Sequence, residues 1–255
     1  MNSKSQNYDL IFSLGEACSC SQSLRNSKLQ VYSYPFDWLF GADFETRINI
    51  LTSKFSHFID KEDLENYYSE RSIKCTAYKN KQNNLVFNHD FLENIDFNTM
   101  YEDVKEKYAR RILRLLSKIE NANNILLVYT ETPNNENKLI DNNILITALN
   151  KVSSSFGENK NFKLLYFSNS LDFEYLKYQE DIISDNIIKI IGNYKSVNPQ
   201  EPDYQVNFDF FKNYYKNYSL NLPFGYKFKK ILLKNIINLI PIKKTRKNLR
   251  KRYHV

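Results

Sequence analysis

Two continuous apolar runs, separated by a segment with helical periodicity, constrain the fold of this chain most. ILLVYTE (125–131) and FKLLYFS (162–168) are almost free of charge and have the length of buried strands. Residues 142–156 lie between them and have the apolar spacing of a helix. DLIFSL (9–14) and IIKIIG (187–192) are further apolar runs of the same kind. Apolar strands that alternate with helices predict an α/β fold with a mainly parallel sheet and helices on both faces.

The rest of the chain adds three features to this fold. Residues 98–119 have the clearest helical spacing in the sequence. SIKCTAY (72–78) and NNLVFNHDF (83–91) surround a turn-like segment and predict a small β-hairpin insertion. No acidic residue follows Asp209, whereas 13 lysines and arginines do. We therefore divide the chain into an α/β domain, 1–209, and a basic amphipathic C-terminal segment, 210–255.

The net charge of +7 is unevenly distributed. Residues 1–209 contain 23 basic and 29 acidic residues, so the excess positive charge belongs to the C-terminal segment. This distribution is unlike that of a uniformly basic surface, and no nucleic acid is expected as a partner. Within 226–255, Phe228, Ile231 and Ile236 share an apolar helical face beside several lysines. Such a helix is typical of an anionic membrane surface, although a helix docked on the domain has the same pattern.

The sequence also indicates a compartment. Its first residues are polar and lack the pattern of a secretory signal. No apolar run approaches the roughly 18 residues of a transmembrane helix. We therefore expect a cytoplasmic protein whose three cysteines stay reduced, with a peripheral location on the inner membrane face if its tail binds lipid.

Two of the cysteines lie in FSLGEACSCSQSL, residues 12–24. Cys18 and Cys20 would point about 200° apart on a helix, and a disulfide between them on a strand would be strained. A C-x-C pair without a second Cys/His pair is a weak metal motif, so neither a metal nor a cofactor is expected. Cys18 follows Gly15 at the start of a predicted helix, where the helix dipole favours a thiolate and backbone N–H groups can bind an oxyanion. The alternative is that Cys18 is a small buried hydrophobic residue.

A nucleophilic thiol needs a base, and His89 in VFNHDF is the best candidate. Asp90 is adjacent, but neighbouring side chains on a strand point to opposite faces. Asp37, in the aromatic loop YPFDWLFG, is therefore the preferred group to orient the imidazole. The alternative is that the HDF segment is a polar strand end with a structural histidine.

The order of several short motifs resembles a known family. LGEAC with a following helix is succeeded by YPFDWLFG, FNHDF, a helix with KYARRILRLL and the strand ILLVY. This order is similar to that of a bacterial family of unknown function, catalogued as putative papain-like cysteine peptidases. The resemblance covers residues 9–129, about half of the chain.

The resemblance implies that Cys18, His89 and either Asp37 or Asp90 occupy the catalytic positions. It also implies an association with surface-polysaccharide biosynthesis, which is common among the members of that family. The basic tail separately resembles the ends of capsule and lipopolysaccharide enzymes. Two features differ from the family. Glu16 stands where a serine or another small polar residue is common, and the predicted parallel sheet is unlike the antiparallel barrel of papain.

A second hypothesis uses Arg110 and Arg111 on the predicted helix. Arginines can hold the phosphates of a nucleotide sugar or a phosphorylated glycan, although a solvated helix face paired with Glu106 is the favoured explanation. Together with Gly15 and Trp38, these arginines are the candidate substrate-binding residues. The leading prediction is a cysteine-dependent hydrolase or acyl transferase acting on a glycan or an acylated small molecule. The alternative is a glycosyltransferase-like or accessory protein of capsule or lipopolysaccharide biosynthesis without cysteine chemistry.

Overall fold

A computed structural model describes residues 6–70, 72, 74–133, 139–198 and 205–222, together with 232–233, 235–238 and 245. The strands are β1 (Gln6–Tyr8), β2 (Leu10–Ser13), β3 (Phe40–Gly41), β4 (Leu64–Tyr67), β5 (Cys75–Asn80), β6 (Leu85–Leu92), β7 (Asn124–Thr130), β8 (Asn161–Asn169), β9 (Tyr178–Ser184), β10 (Ile187–Gly192) and β11 (Tyr218–Leu220). The α-helices are α1 (Cys18–Asn26), α2 (Phe44–Thr52), α3 (Phe97–Asn121), α4 (Asn142–Phe156) and α5 (Phe208–Tyr214). Short 3-10 turns occur at Pro35–Trp38, Lys61–Asp63 and Tyr215–Asn217. The protein is thus of mixed α/β class.

The largest sheet has five strands in the order β2-β7-β8-β10-β9. Neighbours from β2 to β10 are parallel, as the apolar runs predict, whereas β9 pairs with β10 in the antiparallel direction. β9 was not predicted because this strand lies at an edge and has no buried position. The prediction of a mainly parallel sheet therefore holds for this sheet, with one antiparallel edge.

Side chains on the two faces of this sheet enter two separate cores. On one face, Phe12, Leu127 and Leu164 pack with residues of α2, α3 and α4. On the other face, Ile11 and Val128 pack with residues of α1 and α5. This arrangement explains why the strands read as continuous apolar runs, since successive residues point to opposite sides and both sides are buried. Helices cover both faces, as expected.

A four-stranded antiparallel sheet replaces the predicted small hairpin insertion. Its order is β3-β6-β5-β4, and the predicted hairpin corresponds to β5 and β6. The two added strands escaped prediction because β3 has only two residues and β4 has no fully buried position. The description of the chain as mainly parallel is therefore corrected: the described residues form one mixed sheet, one antiparallel sheet and a two-stranded parallel sheet of β1 and β11.

The chain divides into a unit of residues Met1–Leu220 and a second unit of Asn221–Val255. The first unit ends with α5 and β11, and β11 pairs with β1 in the parallel direction. In the second unit, positions 232–233 and 235–238 are helical, with Leu232 and Ile236 half exposed. Most of the predicted amphipathic helix lies outside the described residues. None of the helices in the described ranges is long and apolar enough to cross a bilayer.

Candidate active site

The CSC segment follows the first strand of the main sheet. β2 ends at Ser13, and α1 begins at Cys18, so Cys18 occupies the first helical position. Ala17 is the N-cap residue and provides no side-chain hydrogen bond, which leaves the first turn without a side-chain cap. The strand, turn and helix that the sequence predicts here are thus confirmed, with Cys18 half buried at the mouth of the helix.

Cys20 faces the opposite way and is fully buried in the core between α1 and the sheet. Its Sγ lies 3.5 Å from the carbonyl oxygen of Val128. Burial raises the pKa of the Cys20 thiol, which therefore stays neutral. Cys20 accordingly has the packing role that its position in the helix predicts.

Position 15, before the two cysteines, has no room for a side chain and therefore requires a glycine. A Cβ atom on Gly15 would lie 2.2 Å from Cβ and 2.7 Å from Sγ of Cys20. Its backbone N–H donates to Ser13 Oγ at 3.1 Å, and the next N–H, of Glu16, donates to the Thr130 carbonyl. Gly15 lets β2 and α1 meet closely, and its own N–H is engaged within the protein. It does not line the crevice that contains Cys18.

A buried arginine joins the cysteine segment to the aromatic loop. The guanidinium of Arg47, on α2, donates to the carbonyl oxygens of Leu14 and Glu16 on one side. On the other side it donates to the carbonyls of residues 39, 41 and 42. Arg47 is fully buried, and burial lowers its pKa. These contacts fix the turn before Cys18 against the loop that contains Trp38.

Asp37 has a different position from the one predicted. Its carboxylate is fully buried, forms an ion pair with Arg25 on α1, and accepts hydrogen bonds from Gln30 and the Tyr34 backbone N–H. Desolvation raises the pKa of Asp37, against the opposing effect of Arg25. No hydrogen bond joins Asp37 to His89 among the described residues. The carboxylate instead fixes the 3-10 turn, so that its chain neighbour Trp38 lies over the start of α1.

His89 lies in a β-bulge of β6. Thr76 and Tyr78 of β5 pair with Phe91 and Phe87, so Ala77 alone is opposite the three residues 88–90. A bulge of this kind bends the strand and changes the direction of its side chains. His89 is exposed, whereas its neighbours on both sides are buried.

Asp90 points away from His89 and contacts α3. Its carboxylate forms an ion pair with Lys107 and accepts a hydrogen bond of 2.8 Å from the Tyr108 hydroxyl. These contacts attach the bulged strand to α3. In the described structure Asp90 therefore anchors β6 and forms no hydrogen bond with His89.

The structure brings Cys18, His89 and Trp38 into one narrow crevice. Its other lining residues are Ala17, Leu39, Phe40 and Asn88. The antiparallel pairing of Phe40 in β3 with Val86 in β6 places the aromatic loop beside the strand that contains His89. Asn88 was not predicted as a site residue, although it precedes His89 directly. An unbulged strand would place the two side chains on opposite faces, and only the bulge allows both to line the crevice.

The predicted phosphate-binding arginines lie elsewhere. Arg110 is exposed and pairs with Glu106 one helical turn away, which is the simpler alternative considered from the sequence. Arg111 packs over the Tyr108 ring at 5.1 Å. Neither arginine lines the crevice. In the part of the chain that the structure describes, no group of three or more His, Cys, Asp or Glu side chains could hold a metal ion.

Comparison with known proteins identifies the family of the chain. A family described as "Putative papain-like cysteine peptidase (DUF1796)" matches residues 9–167, which include every residue of the crevice. No curated protein and no solved structure matches the chain. The family match spans more than half of the 255 residues, and the chain therefore belongs to this family.

Proposed function

We propose that the protein is a cysteine-dependent hydrolase or acyl transferase in which Cys18 is the nucleophile and His89 its base. One observation carries this proposal: Cys18, at the first position of α1, and His89, in the bulged strand, line the same crevice. The dipole of α1 favours a thiolate at this position, and a nearby imidazole can accept the thiol proton. The family description supports the same chemistry.

The reaction follows from these two groups. His89 takes the proton of Cys18, and Sγ attacks the carbonyl carbon of an acyl group to form a tetrahedral intermediate. His89 then gives the proton to the leaving group, and a thioester remains on Cys18. Water or another acceptor, deprotonated by His89, attacks the thioester and releases the thiol. Transfer and hydrolysis differ only in the identity of this acceptor.

The oxyanion of the intermediate needs backbone donors. The N–H groups of Gly15 and Glu16 already donate to Ser13 and Thr130, so they are not available as donors to the oxyanion. The N–H of Ser19 in the first turn of α1 has no acceptor among the described residues, and we assign it to the oxyanion. For the group that orients His89 we propose Asn88, which shares the crevice, in place of Asp37 and Asp90.

The reactivity of the three cysteines tests this proposal within one protein. We expect iodoacetamide to alkylate Cys18 well below pH 8, where an ordinary thiol with a pKa of about 8.5 reacts slowly. Cys75 is a matched internal control, because it is also half buried and burial raises its pKa. Raising a thiol pKa reduces the thiolate fraction at a given pH, so Cys75 should react only at higher pH. Peptide mapping by mass spectrometry separates the sites.

The contribution of the base is tested in the same assay. His89→Ala should slow alkylation of Cys18 at neutral pH about tenfold or more, within the usual range for loss of a general base. His57→Ala is the control, because His57 is exposed and paired with Asp60 outside the crevice. Equal rates for Cys18 and Cys75 across the pH range, or a Cys18 rate unaffected by His89→Ala, would contradict the proposed mechanism.

We extend the proposal to a surface-glycan substrate at the inner membrane face. Its support is the resemblance noted in the sequence and the positive charge of residues 226–255. The full chain should float with liposomes containing phosphatidylglycerol and not with pure phosphatidylcholine. A chain that ends at residue 225 should not float with either. Equal flotation of both chains with anionic liposomes would remove the membrane part of the proposal.

A further inference from the structure

A second cavity of about 430 Å³ lies at the carboxyl ends of the central strands. Five acidic residues line it, and we call it the acidic cavity: Glu16, Asp43, Glu45, Glu131 and Asp141. Glu16 and Glu131 follow β2 and β7, and the two aspartates precede α2 and α4. Ligands of α/β proteins commonly bind at this edge of a sheet. The volume is within the range of small-molecule sites.

Four of the five carboxylates of the acidic cavity are held in place by hydrogen bonds. Asp43 and Asp141 each accept an N–H of the helix that they cap. Glu16 accepts the Thr132 N–H at 2.6 Å. Glu131 accepts from the Tyr166 hydroxyl, the Ser168 hydroxyl and a backbone N–H. The helix N-termini are thus already satisfied by aspartates, and an anionic ligand would meet only further negative charge.

No lysine or arginine lines the acidic cavity among the described residues. The nearby Arg47 donates to main-chain carbonyls and forms no ion pair with these carboxylates, and its single positive charge offsets only part of the negative charge of Glu16 and Asp43. Burial raises the pKa of Glu131 despite its three hydrogen bonds, with Glu16 contributing in the same direction. A cation in the cavity would offset this cost of ionisation.

One polar group on the cavity wall lacks a partner. Tyr129 is only 2% exposed, its ring stacks on Tyr166 at 5.0 Å, and Phe44 packs edge-on against both rings. Its hydroxyl forms no hydrogen bond within the described chain, and it is not sealed in the core but opens onto the cavity. Tyr129 lines the cavity, so a ligand there can supply the missing bond. The aromatic cluster holds this hydroxyl in a fixed position.

The remaining wall is aliphatic and consists of Leu139, Ile140 and Ile144. From the excess of carboxylates, the unpartnered hydroxyl and this apolar wall we infer that the cavity binds an aliphatic primary ammonium, with its hydrocarbon chain against the wall. A neutral polyol would leave the excess negative charge of the carboxylates without a counter-charge. A metal ion is not the expected ligand, because no three or more of the described His, Cys, Asp and Glu side chains are arranged to coordinate one. The cavity shares no lining residue with the crevice of Cys18, so this inference goes beyond the proposed function.

A matched pair of probes tests the inference on the full chain. Isothermal titration calorimetry should detect binding of 1,5-diaminopentane and none of 1,5-pentanediol, which has the same length without charge. Added sodium chloride should weaken the binding, because salt screens the carboxylates. No binding of the diamine, or equal binding of the diol, would overturn the inference.

Variants then locate the site. Tyr129→Phe removes only the unpartnered hydroxyl and should weaken diamine binding about tenfold, as expected for one hydrogen bond to a charged group. Glu45→Gln removes an exposed charge at the rim and should weaken it severalfold. Glu102→Gln, on the exposed face of α3, should have no effect. Cys18→Ala should also bind the diamine normally, so failure of the proposed thiol chemistry would leave this result unchanged. Unaltered binding in both Tyr129→Phe and Glu45→Gln would place the diamine elsewhere and overturn the inference.

Discussion

Replacing Arg47 with Met should lower the free energy of unfolding by about 5 kcal/mol or more. The guanidinium donates to five main-chain carbonyls that belong to the cysteine segment and the aromatic loop. Methionine fills much of the volume and offers no donor, and each buried carbonyl left without a partner costs about 1–3 kcal/mol. Since small domains are stable by only about 5–15 kcal/mol, this variant should be largely unfolded at physiological temperature. Urea unfolding followed by circular dichroism measures the loss.

Two further variants test whether the loss of stability depends on the guanidinium of Arg47 and not on the removal of any arginine. Arg47→Lys retains a charge but has a compact ammonium that cannot reach both segments, so it should lie between the wild type and Arg47→Met. Arg110→Met removes an exposed arginine paired only with Glu106 and should change stability by less than about 0.5 kcal/mol. An Arg47→Met protein within about 1 kcal/mol of the wild type would mean that the carbonyls find other donors, and the role assigned to Arg47 would be wrong.

The second large effect is expected at Gly15. In Gly15→Ala the added methyl would lie 2.2 Å from Cβ of Cys20, and neither atom can move by changing a rotamer. The backbone of β2 or α1 must shift instead, in a close-packed region, and we expect a loss of at least about 3 kcal/mol. Because the shift displaces the start of α1, alkylation of Cys18 should also change. Thermal unfolding and the iodoacetamide assay follow the two effects.

A second substitution, at Cys20, distinguishes the steric clash between the new Cβ atom at position 15 and Cβ of Cys20 from a loss of backbone freedom at Gly15. Cys20→Ala retains the Cβ atom, so the double variant with Gly15→Ala should stay as unstable as Gly15→Ala alone. Cys20→Gly removes the Cβ atom and should recover part of the stability, less about 1 kcal/mol for a glycine within a helix. Full recovery with Cys20→Ala, or none with Cys20→Gly, would show that the contact between these two residues is not the cause.

Much of the fold could be predicted because the main strands are buried on both faces. The runs that became β2, β7, β8 and β10 contain nearly continuous apolar residues, and α3 and α4 have regular helical spacing. The elements that escaped prediction have little apolar signal. β9 lies at an edge with exposed residues, and β3 is a two-residue contact whose existence depends on β6.

The residues of the candidate site could be predicted where the type of side chain and its local sequence indicate the chemistry. Cys18 and His89 were both expected, and the structure places them in one crevice. The surroundings of Asp37 were not predictable, because its buried ion pair depends on Arg25, 12 positions earlier and on another element. The bulge at residues 88–90 also has no sequence pattern that would predict it. The acidic cavity was missed for a similar reason, since its carboxylates come from four separate segments.

The crevice contains the only tryptophan of the 255-residue chain. Indole emission depends on the polarity of the surroundings, and Trp38 is half buried beside the thiol. Intrinsic fluorescence of the unmodified protein therefore reports from this one position, without an attached dye and without background from a second indole. Collections of acylated compounds can be screened optically for entry into the crevice before any substrate is known.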